Sequence, residues 1–392
     1  MSTETSSGRF LGYNEARNFI EQMTRFGSVL GLANMRALME ALGDPQDDIR
    51  IIHIAGTNGK GSVCSIIATV LQEAGMKVGL YTSPHIFEYT ERIKISGLEI
   101  SRQVFANYIE QICQIADENE IHLTEFEILT AVMFKYFSDE NVDVVVLETG
   151  LGGRFDATNV IKSNLCAVIT HIDFDHTERL GTTLAQIAYE KAGIIKENST
   201  IITAEGYEIF RDVAEEKNAM FMMISPFEDT TNLSLKGMHQ QENLSLALAT
   251  VRYLFPKIPE DIIQYALTKV EHPYRFQYIP EKNMIIDVAH NPNGIKALKE
   301  NLDFYYSDKY KRFIFGCLNN KDYKTMLEEL FDGRDEIYFY HFDYPNSATV
   351  EELQSVCEYP SKEYTEKFDY SDGKLTVVCG SFYMLKELSE KI

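Results

Sequence analysis

The sequence predicts an α/β protein with an N-terminal P-loop-type parallel-sheet domain plus a smaller C-terminal Rossmann-like α/β domain. Three observations predict this class: short apolar strands alternate with amphipathic helices, a glycine-rich loop joins one strand to a helix, and a second alternating series begins near residue 283. The chain has 392 residues, which is more than one ordinary domain holds. We therefore expect two domains, at residues 1–276 and 277–392.

Four apolar runs in the first domain are typical of buried parallel strands that end in polar loops. They are "IRIIHIAG", "KVGLYTSPH", "VDVVVLETG" and "NLCAVITHIDFDH". After Ser62, apolar residues recur at spacings of three and four until Gly75, which indicates a helix and its stop. Open α/β sheets bind ligands at the carboxyl ends of their strands, so we expect the polar residues there to form the site.

The second domain repeats the alternation on a smaller scale. Its predicted strands are "NMIIDVAH", "KRFIFGCL", "DEIYFYHF" and "KLTVVCGS", and its predicted helices include "GIKALKENL", "DYKTMLEEL" and "TVEELQSV". The stretch Glu271–Asn283 contains two prolines and mixed charge, which favours a linker.

The charge balance argues against several classes of protein. Lys and Arg total 37 while Asp and Glu total 59, which gives a net charge of −22. Nucleic acids and anionic membranes are bound through clustered cations, so we expect neither as a partner. An anionic ligand then needs a local cationic site, with metal ions.

Compartment signals favour the cytoplasm. The six cysteines are scattered without a C-x-x-C pair, which suits a reducing compartment. The start, "MSTETSSGRFLGYNEARNF", lacks the apolar stretch of a secretory signal, and no apolar run approaches the roughly 20 residues that span a bilayer. We expect a cytoplasmic protein that is a monomer.

The stretch "HIAGTNGKGS" resembles a phosphate-binding loop, although its spacing departs from the pattern G-x-x-x-x-G-K-[ST]. A strand, a glycine turn and a helix in succession present backbone N–H groups and the positive end of the helix dipole to an anion. Gly56, Gly59 and Gly61 permit a tight bend, Lys60 supplies charge, and Ser62 offers a hydroxyl to Mg²⁺. The alternative is an ordinary glycine turn, which the adjoining Lys and Ser make less attractive.

Two further groups of residues indicate a metal site. Glu148 follows a buried strand and is typical of a carboxylate that holds Mg²⁺. Alone it would be better explained as a surface carboxylate at a strand end, but its pairing with the glycine loop favours a metal ligand. The stretch "THIDFDHTERLG" invites a zinc interpretation, but no cysteine or further His stands at ligand spacing, and carboxylates with phosphates suit Mg²⁺ better. We expect His176 to contact metal or phosphate rather than to be structural, with Asp173 and Asp175 less clearly assigned.

Seven segments, in order, resemble the folylpolyglutamate synthase and dihydrofolate synthase family within the Mur ligase superfamily. They are "HIAGTNGKGS", "YTSPHIFEYTERIKISG", "LETGLGGRFDATN", "HIDFDHTERLG", "YEKAGIIK", "GMHQQEN" and "DVAHNPNG". The resemblance implies an N-terminal ATPase domain, a C-terminal ligase domain and an ATP-dependent amide ligase. In that chemistry ATP phosphorylates a pterin-linked carboxylate, and the amino group of glutamate attacks the acyl phosphate.

The resemblance also implies roles for residues at matching positions. Lys191 matches a lysine that the family carries as a carbamate, which turns a cation into an anionic metal ligand. ATP is expected in the crevice between the domains. With the loop, the ATP-side residues are Gly56, Thr57, Asn58, Gly59, Lys60, Gly61, Ser62, Asn243, Arg275, Asp287, His290 and Asn291.

Two other sets follow from the same comparison. The expected Mg²⁺ ligands, for two ions, are Ser62, Ser83, Glu148, His176 and Lys191. The expected substrate-side residues are Thr82, Ser83, Pro84, His85, Gly152, Gly153, Arg154, Asp156 and Asn159. The expected catalytic residues are Lys60, Glu148, His176 and Lys191.

The chain departs from the family pattern at some positions, and rival functions remain open at this point. Tyr274 precedes Arg275 where the family usually has glycine, and Val288 follows Asp287 where it usually has Gly. One rival is a peptidoglycan Mur ligase that acts on a nucleotide sugar, and another is an inactive nucleotide-binding regulatory protein. The sequence does not separate dihydropteroate, a reduced folate, or both as the acceptor.

Overall fold

A computed structural model describes residues 12–23, 31–226, 229–365, 368 and 372–388. By its contacts the chain divides into two compact units. The first contains the described residues up to 226 and residues 242–267, and the second contains residues 229–241 and the described residues from 268 onward. The expected domain boundary at 276 and 277 stays a prediction.

The first unit is built on an eight-stranded sheet in the order β4-β3-β2-β5-β1-β6-β7-β8. Strands β2, β5, β1, β6, β7 and β8 are parallel, while β3 and β4 add antiparallel pairs at one edge. The strands are β1 (Ile51–Ala55), β2 (Val78–Tyr81), β3 (Ile93–Ile95), β4 (Leu98–Glu99), β5 (Val144–Glu148), β6 (Cys166–Ile169), β7 (Thr200–Thr203) and β8 (Met220–Met223).

Ten helices among the described residues accompany this sheet. They are α1 (Tyr13–Met23), α2 (Ala33–Ala41), α3 (Lys60–Glu73), α4 (Arg102–Glu118), α5 (Glu125–Asp139), α6 (Thr177–Leu180), α7 (Leu184–Ala192), α8 (Glu208–Glu216), α9 (Gln240–Leu254) and α10 (Glu260–Leu267). The chain crosses from the second unit to the first within α9, at Glu242.

The second unit contains a six-stranded sheet in the order β13-β12-β11-β14-β10-β9, parallel except for β9. Its strands are β9 (Gln277–Ile279), β10 (Met284–Ile286), β11 (Lys311–Phe315), β12 (Glu336–Phe339), β13 (Ser361–Glu363) and β14 (Leu375–Cys379). Its helices, within the described part, are α11 (Pro292–Tyr305), α12 (Tyr323–Leu330), α13 (Val350–Val356) and α14 (Phe382–Leu388).

The predicted α/β class and the eight predicted strands are confirmed. Strands β1 and β5 are buried along their whole length because helices cover both faces of a parallel sheet, which is why they read as continuous apolar runs. The linker expected at Glu271–Asn283 is wrong in part, since β9 lies within it. β9 is a largely exposed edge strand, so its polar composition resembles that of a loop.

Local signals in the sequence fix where several helices begin. Thr183 accepts a hydrogen bond from the backbone N–H of Gln186, whose side chain reaches back to residue 183, so α7 starts with a capping box. A cap of this kind contributes about 1 kcal/mol. Lys191 is buried near the end of this helix.

None of the helices in the described part of the chain is both long and apolar enough to cross a bilayer.

Candidate active site

The glycine-rich loop lies between β1 and α3, as the sequence predicts. Gly59 has a φ of +88°, in the left-handed region that favours glycine, and a Cβ atom there would lie 2.2 Å from Oδ1 of Asn243. Gly59 also stands at the N-cap of α3 and has no side chain to cap the helix. The loop backbone therefore lies against Asn243. The positive end of the 14-residue helix α3 is left open to an anion.

The loop is anchored to the chain that follows β6. The backbone N–H of Thr57 donates to the carbonyl of His171 at 2.8 Å, and the Thr57 hydroxyl donates to the carbonyl of Asp173 at 2.9 Å. The hydroxyl of Thr170 donates to the carbonyl of Asn58 at 2.7 Å. These bonds hold the loop at the carboxyl ends of two neighbouring strands, where the topology predicts a ligand site.

Two lysines of the predicted site meet at the start of this loop. Lys60 donates to the carbonyl oxygens of Gly56 and Thr57 at 3.1 and 3.2 Å, and Lys191 donates to that of Gly56 at 2.8 Å. Lys191 is 3% exposed. Burial, reinforced by the nearby charge of Lys60, holds the pKa of Lys191 well below its usual value, although Asp175 and Asp156 oppose the shift.

Glu148 is buried at the end of β5, beside β1. Its Oε2 accepts a hydrogen bond from the backbone N–H of Ser83 at 3.2 Å, so the structure brings together two of the predicted metal ligands. Ser62, a third, is buried in the first turn of α3. β1 and β5 pair in register at Ile54 and Glu148, which places the carboxylate at the level where the loop begins.

His176 lies at the N-cap of α6 with a left-handed φ of +50°. Its Nε2 lies 3.8 Å from a carboxylate oxygen of Asp175, and its Nδ1 lies 3.9 Å from one of Glu178. The side chain is 43% exposed. Its role as a metal ligand stays a prediction.

A second glycine loop, residues 150–153 after β5, packs directly on the end of α7. A Cβ atom on Gly153 would lie 2.9 Å from the carbonyl oxygen of Lys191 and 3.0 Å from that of Glu190, and Gly152 has a φ of +67°. The backbone N–H of Arg154 donates to the carbonyl of Glu190 at 2.7 Å. This loop therefore supports Lys191 through backbone contacts that a larger residue would disturb.

The side chains of this second loop have internal partners. Asp156, which is buried, accepts from the backbone N–H of Leu151 at 2.8 Å, and Asn159 donates to the carbonyls of Arg154 and Gly193 at 3.1 and 3.0 Å. The Arg154 guanidinium carbon lies 4.9 Å from the ring centroid of Phe155 and 5.0 Å from that of Tyr189. Contact of these residues with substrate stays a prediction.

The "TSPH" segment follows β2 and contains a cis peptide bond between Ser83 and Pro84. Thr82 donates from its backbone to the carbonyl of Arg92 at 3.1 Å. The ring of His85 accepts from the Arg92 side chain at 2.8 Å and lies 4.2 Å from the ring of Tyr89. The segment is thus ordered against its own neighbourhood, beside Glu148.

In the second unit, the predicted ATP-side residues gather near the carboxyl end of β10. Asp287 is partly buried and accepts from the backbone N–H groups of Phe276 and Ala289 at 2.8 and 2.7 Å. Burial raises its pKa, while Arg275 and these hydrogen bonds oppose the shift. The Arg275 guanidinium lies 5.3 Å from the ring centroid of Phe382.

Two more residues of that set have structural partners. The Nδ1 of His290 lies 2.9 Å from the carbonyl oxygen of Val288, and Asn291 caps α11 by accepting from the backbone N–H of Gly294 at 2.7 Å. Their contact with a nucleotide stays a prediction.

Sequence reasoning missed a buried network beneath the two loops. Nε2 of His53, in β1, lies 2.9 Å from the hydroxyl of Thr158, which donates to Asp156 at 2.5 Å. Burial holds the pKa of His53 well below its usual value. A histidine inside an otherwise apolar strand was the available signal.

It also missed a cluster formed by His171, Glu205 and Glu242, whose potential ligand atoms all lie within 4.8 Å of one another. The hydrogen bond to Glu205 raises the pKa of His171, against the effect of burial. Burial opposes ionisation of Glu205, yet the bond from His171 holds its pKa below the usual value. Glu205 follows β7 much as His171 follows β6, a signal that parallel strand ends converge.

Comparison with known proteins accounts for both units. The Mur ligase middle domain matches residues 54–243, and the Mur ligase glutamate ligase domain matches residues 274–380. The dihydrofolate synthase/folylpolyglutamate synthase of Bacillus subtilis is 34% identical over 98% of this chain and 100% of its own length.

Solved structures agree with these matches. Escherichia coli FolC in complex with DHPP and ADP superposes with a TM-score of 0.84 at 29% identity, covering 99% of this chain and 98% of the other. A bifunctional folylpolyglutamate synthase/dihydrofolate synthase with Mn, AMPPNP and L-glutamate bound gives a TM-score of 0.85 at 29% identity, over 98% of this chain and 99% of the other. The chain is an ATP-dependent ligase and belongs to the folylpolyglutamate synthase/dihydrofolate synthase family of Mur ligases.

Proposed function

We propose that this chain is bifunctional and joins L-glutamate both to dihydropteroate and to a reduced folate. The meeting of Lys60 and Lys191 at the Gly56 carbonyl, in a glycine loop beside the buried Glu148, supports activation of a carboxylate, which is the step that both acceptors share. The B. subtilis relative, which aligns over its whole length, carries both activities in its name. One site that activates a carboxylate serves both acceptors, since each presents a carboxylate to the same chemistry.

The reaction balances in two steps. An oxygen of the acceptor carboxylate attacks the γ-phosphorus of ATP, and ADP leaves. The amino nitrogen of glutamate then attacks the acyl carbon, loses a proton, and displaces inorganic phosphate. The loop N–H groups and Lys60 would bind the phosphates and stabilise the charge that develops on the transferred group.

The residues present fit a magnesium ion. The Glu148 carboxylate and the Ser62 hydroxyl are both buried oxygen donors near the loop, and Mg²⁺ prefers oxygen ligands together with substrate phosphates. Ser62, Ser83, Glu148, His176 and Lys191 would hold two ions. When bound, Mg²⁺ neutralises phosphate charge.

Lys191 fits this set as a carbamate rather than as an ammonium. Its burial disfavours the charged amine, and a neutral amine can add CO₂ with formation of an N–C bond and release of a proton. The product is an anion with oxygen donors. Lys60 is close enough to compensate part of its charge, since both side chains donate to Gly56.

The remaining predicted residues fall into two groups in this proposal. Asn243, beside Gly59, would lie on the ATP side together with Arg275, Asp287, His290 and Asn291. The residues of "TSPH" and of the second glycine loop would line the pterin and glutamate side. That loop contacts the backbone at Lys191, so a substrate bound there would lie next to one of the proposed metal ligands.

The test is ADP release by the purified protein with ATP, Mg²⁺ and glutamate. One reaction contains 7,8-dihydropteroate, a second contains tetrahydrofolate, and a third contains a UDP-linked peptidoglycan precursor. We expect turnover in the first two. Activity with one pteridine alone would reduce the proposal to a single function, and activity with the UDP-linked precursor instead would overturn it.

We also propose that the protein acts in the cytoplasm as a monomer. All six cysteines are free, and five of them are buried, which suits a reducing compartment. Light scattering after gel filtration tests the oligomeric state against the chain mass of 44.8 kDa.

A further inference from the structure

We propose that His171, Glu205 and Glu242 form a divalent metal site for a zinc-type cation, separate from the Mg²⁺ residues of the ligase reaction. Their potential ligand atoms lie within 4.8 Å of one another. His171 follows β6, Glu205 follows β7, and Glu242 lies in the first turn of α9. Three distant parts of the chain thus present one nitrogen and two carboxylates to a common point.

The donor set decides the class of cation. A neutral imidazole with two carboxylates matches the mixed nitrogen and oxygen ligation that zinc and its neighbours accept. Mg²⁺ prefers oxygen donors, and in the set proposed above the single nitrogen of His176 stands among oxygen ligands and phosphates. Three protein ligands leave one position of a tetrahedral ion for water. Two carboxylates also balance the charge of a divalent cation.

The side chains of the cluster must shift for the ion to enter. Nδ1 of His171 now lies 2.8 Å from Oε1 of Glu205, which also accepts from the backbone N–H of Ile172 at 3.0 Å. Ligand atoms around a tetrahedral zinc ion with bonds of about 2.0 to 2.1 Å lie about 3.3 Å apart, so these two atoms must separate by about 0.5 Å. A pair at the 4.8 Å limit of the cluster must approach by about 1.5 Å. The side chains of His171 and Glu205 are 40% and 19% exposed, which gives the ion access from solvent and the imidazole room to move.

The position of the cluster gives such an ion a structural consequence. The carbonyl of His171 accepts the backbone N–H of Thr57, and Glu242 precedes Asn243, whose side chain lies against Gly59. Both connections lead to the nucleotide loop. A bound cation would therefore link the segment after β6 to the start of α9, both of which contact that loop, and would stabilise the native state.

The experiment is a zinc titration of the full-length protein after chelator treatment and gel filtration, without nucleotide, in competition with a chromophoric chelator. We expect His171→Asn, Glu205→Gln and Glu242→Gln each to weaken zinc binding at least about 10-fold. Two variants serve as controls. Glu208→Gln removes an exposed carboxylate at the start of α8, and His176→Asn removes a residue assigned to the Mg²⁺ set; both should retain the affinity.

A second measurement does not depend on the variants. X-ray absorption of the zinc-loaded wild-type protein should show one imidazole nitrogen within a shell of oxygen ligands. Circular dichroism of each variant verifies folding before titration. Unchanged zinc affinity in His171→Asn and Glu242→Gln, loss of affinity in His176→Asn alone, or absence of an imidazole ligand would each overturn the proposal and leave a hydrogen-bonded His171–Glu205 pair beside Glu242.

Discussion

Lys60 and Lys191 donate hydrogen bonds to the same backbone oxygen, that of Gly56, at 3.1 and 2.8 Å. Two ammonium groups on one acceptor repel each other, and burial makes the charged form of Lys191 more costly still. The favoured arrangement has one charged lysine and one neutral or anionic partner. This relationship unites the phosphate loop with the metal set and leads to the first two predictions.

Replacement of Lys191 by alanine should lower the rate of ADP formation by about 100-fold or more, the scale on which a lost electrostatic contact in an active site is felt. If the lysine acts as a carbamate, a short carboxylic acid should restore part of the rate by occupying the space left by the side chain. The wild-type enzyme should lose activity in CO₂-depleted buffer and regain it with bicarbonate. Lys217→Ala, in a lysine at the end of α8, is the matched control. Full activity of Lys191→Ala without added acid would contradict the role.

Lys60→Ala should also abolish most turnover, but for a different reason. The variant removes the cation that faces the phosphates while leaving the loop backbone, so ATP binding and phosphoryl transfer both weaken. The fold should be preserved, because Lys60 is partly exposed and its two bonds go to its own loop. Steady-state rates and far-UV circular dichroism check the two parts. Lys324→Ala, an exposed lysine on α12, should behave as wild type, and near-normal turnover of Lys60→Ala would refute the assignment.

The central part of the fold could be predicted because its determinants are local. Buried parallel strands produce continuous apolar runs, and glycine, Lys and Ser in one loop mark a phosphate site without knowledge of distant residues. The edge strands were not predicted, and β8 shows why. Met220 and Met223 are half exposed, so no clear apolar pattern distinguishes this strand from a loop.

The missing parts of the site depend on contacts between distant residues. His171 lies in a stretch that invites a zinc interpretation, but the sequence around it offers no cysteine or further histidine at ligand spacing. Glu205 and Glu242 reach it only through the order of β6, β7 and α9. Tyr274 shows the converse. It stands where the resemblance leads us to expect glycine, and it has a left-handed φ of +63°, a conformation that glycine adopts more readily than tyrosine.

Gly59 and Gly43 allow steric contact to be separated from backbone strain. Both have similar positive φ values, +88° and +82°, but a Cβ atom on Gly59 would meet Asn243 at 2.2 Å while one on Gly43 would meet nothing within 4 Å. Alanine at either position costs about 1 to 2 kcal/mol of backbone strain. Gly59→Ala should therefore lower the free energy of unfolding more than Gly43→Ala does.

Nucleotide affinity gives a second measure of this difference. Gly59→Ala should weaken ADP binding, and Gly43→Ala should not, since the latter lies away from the loop. The double variant Gly59→Ala/Asn243→Ala should recover part of the stability by removing the clashing oxygen. Equal stability losses in the two single variants, measured by urea unfolding, would show that the contact with Asn243 carries no weight.

The buried His53 predicts a dependence of stability on acidity. Its folded-state pKa lies well below the ordinary 6.5 because the ring is buried. Between these two pKa values the unfolded chain binds a proton at this ring and the native chain does not. Stability should therefore rise with pH from the lowered folded-state pKa up to about 6.5. His239, whose pKa burial lowers to about 4, acts in the same direction and keeps part of the slope in any His53 variant.

His53→Gln removes the titrating ring while retaining a side chain that can hydrogen-bond to Thr158. The urea midpoint of this variant should change less between about pH 5 and pH 7 than that of the wild type, because one group that binds a proton on unfolding is gone. The control is His122→Gln, in an exposed histidine, which should keep the wild-type slope. A His53→Gln protein with an unaltered slope would mean that the ring already accepts a proton in the native state, despite its burial beneath the two loops.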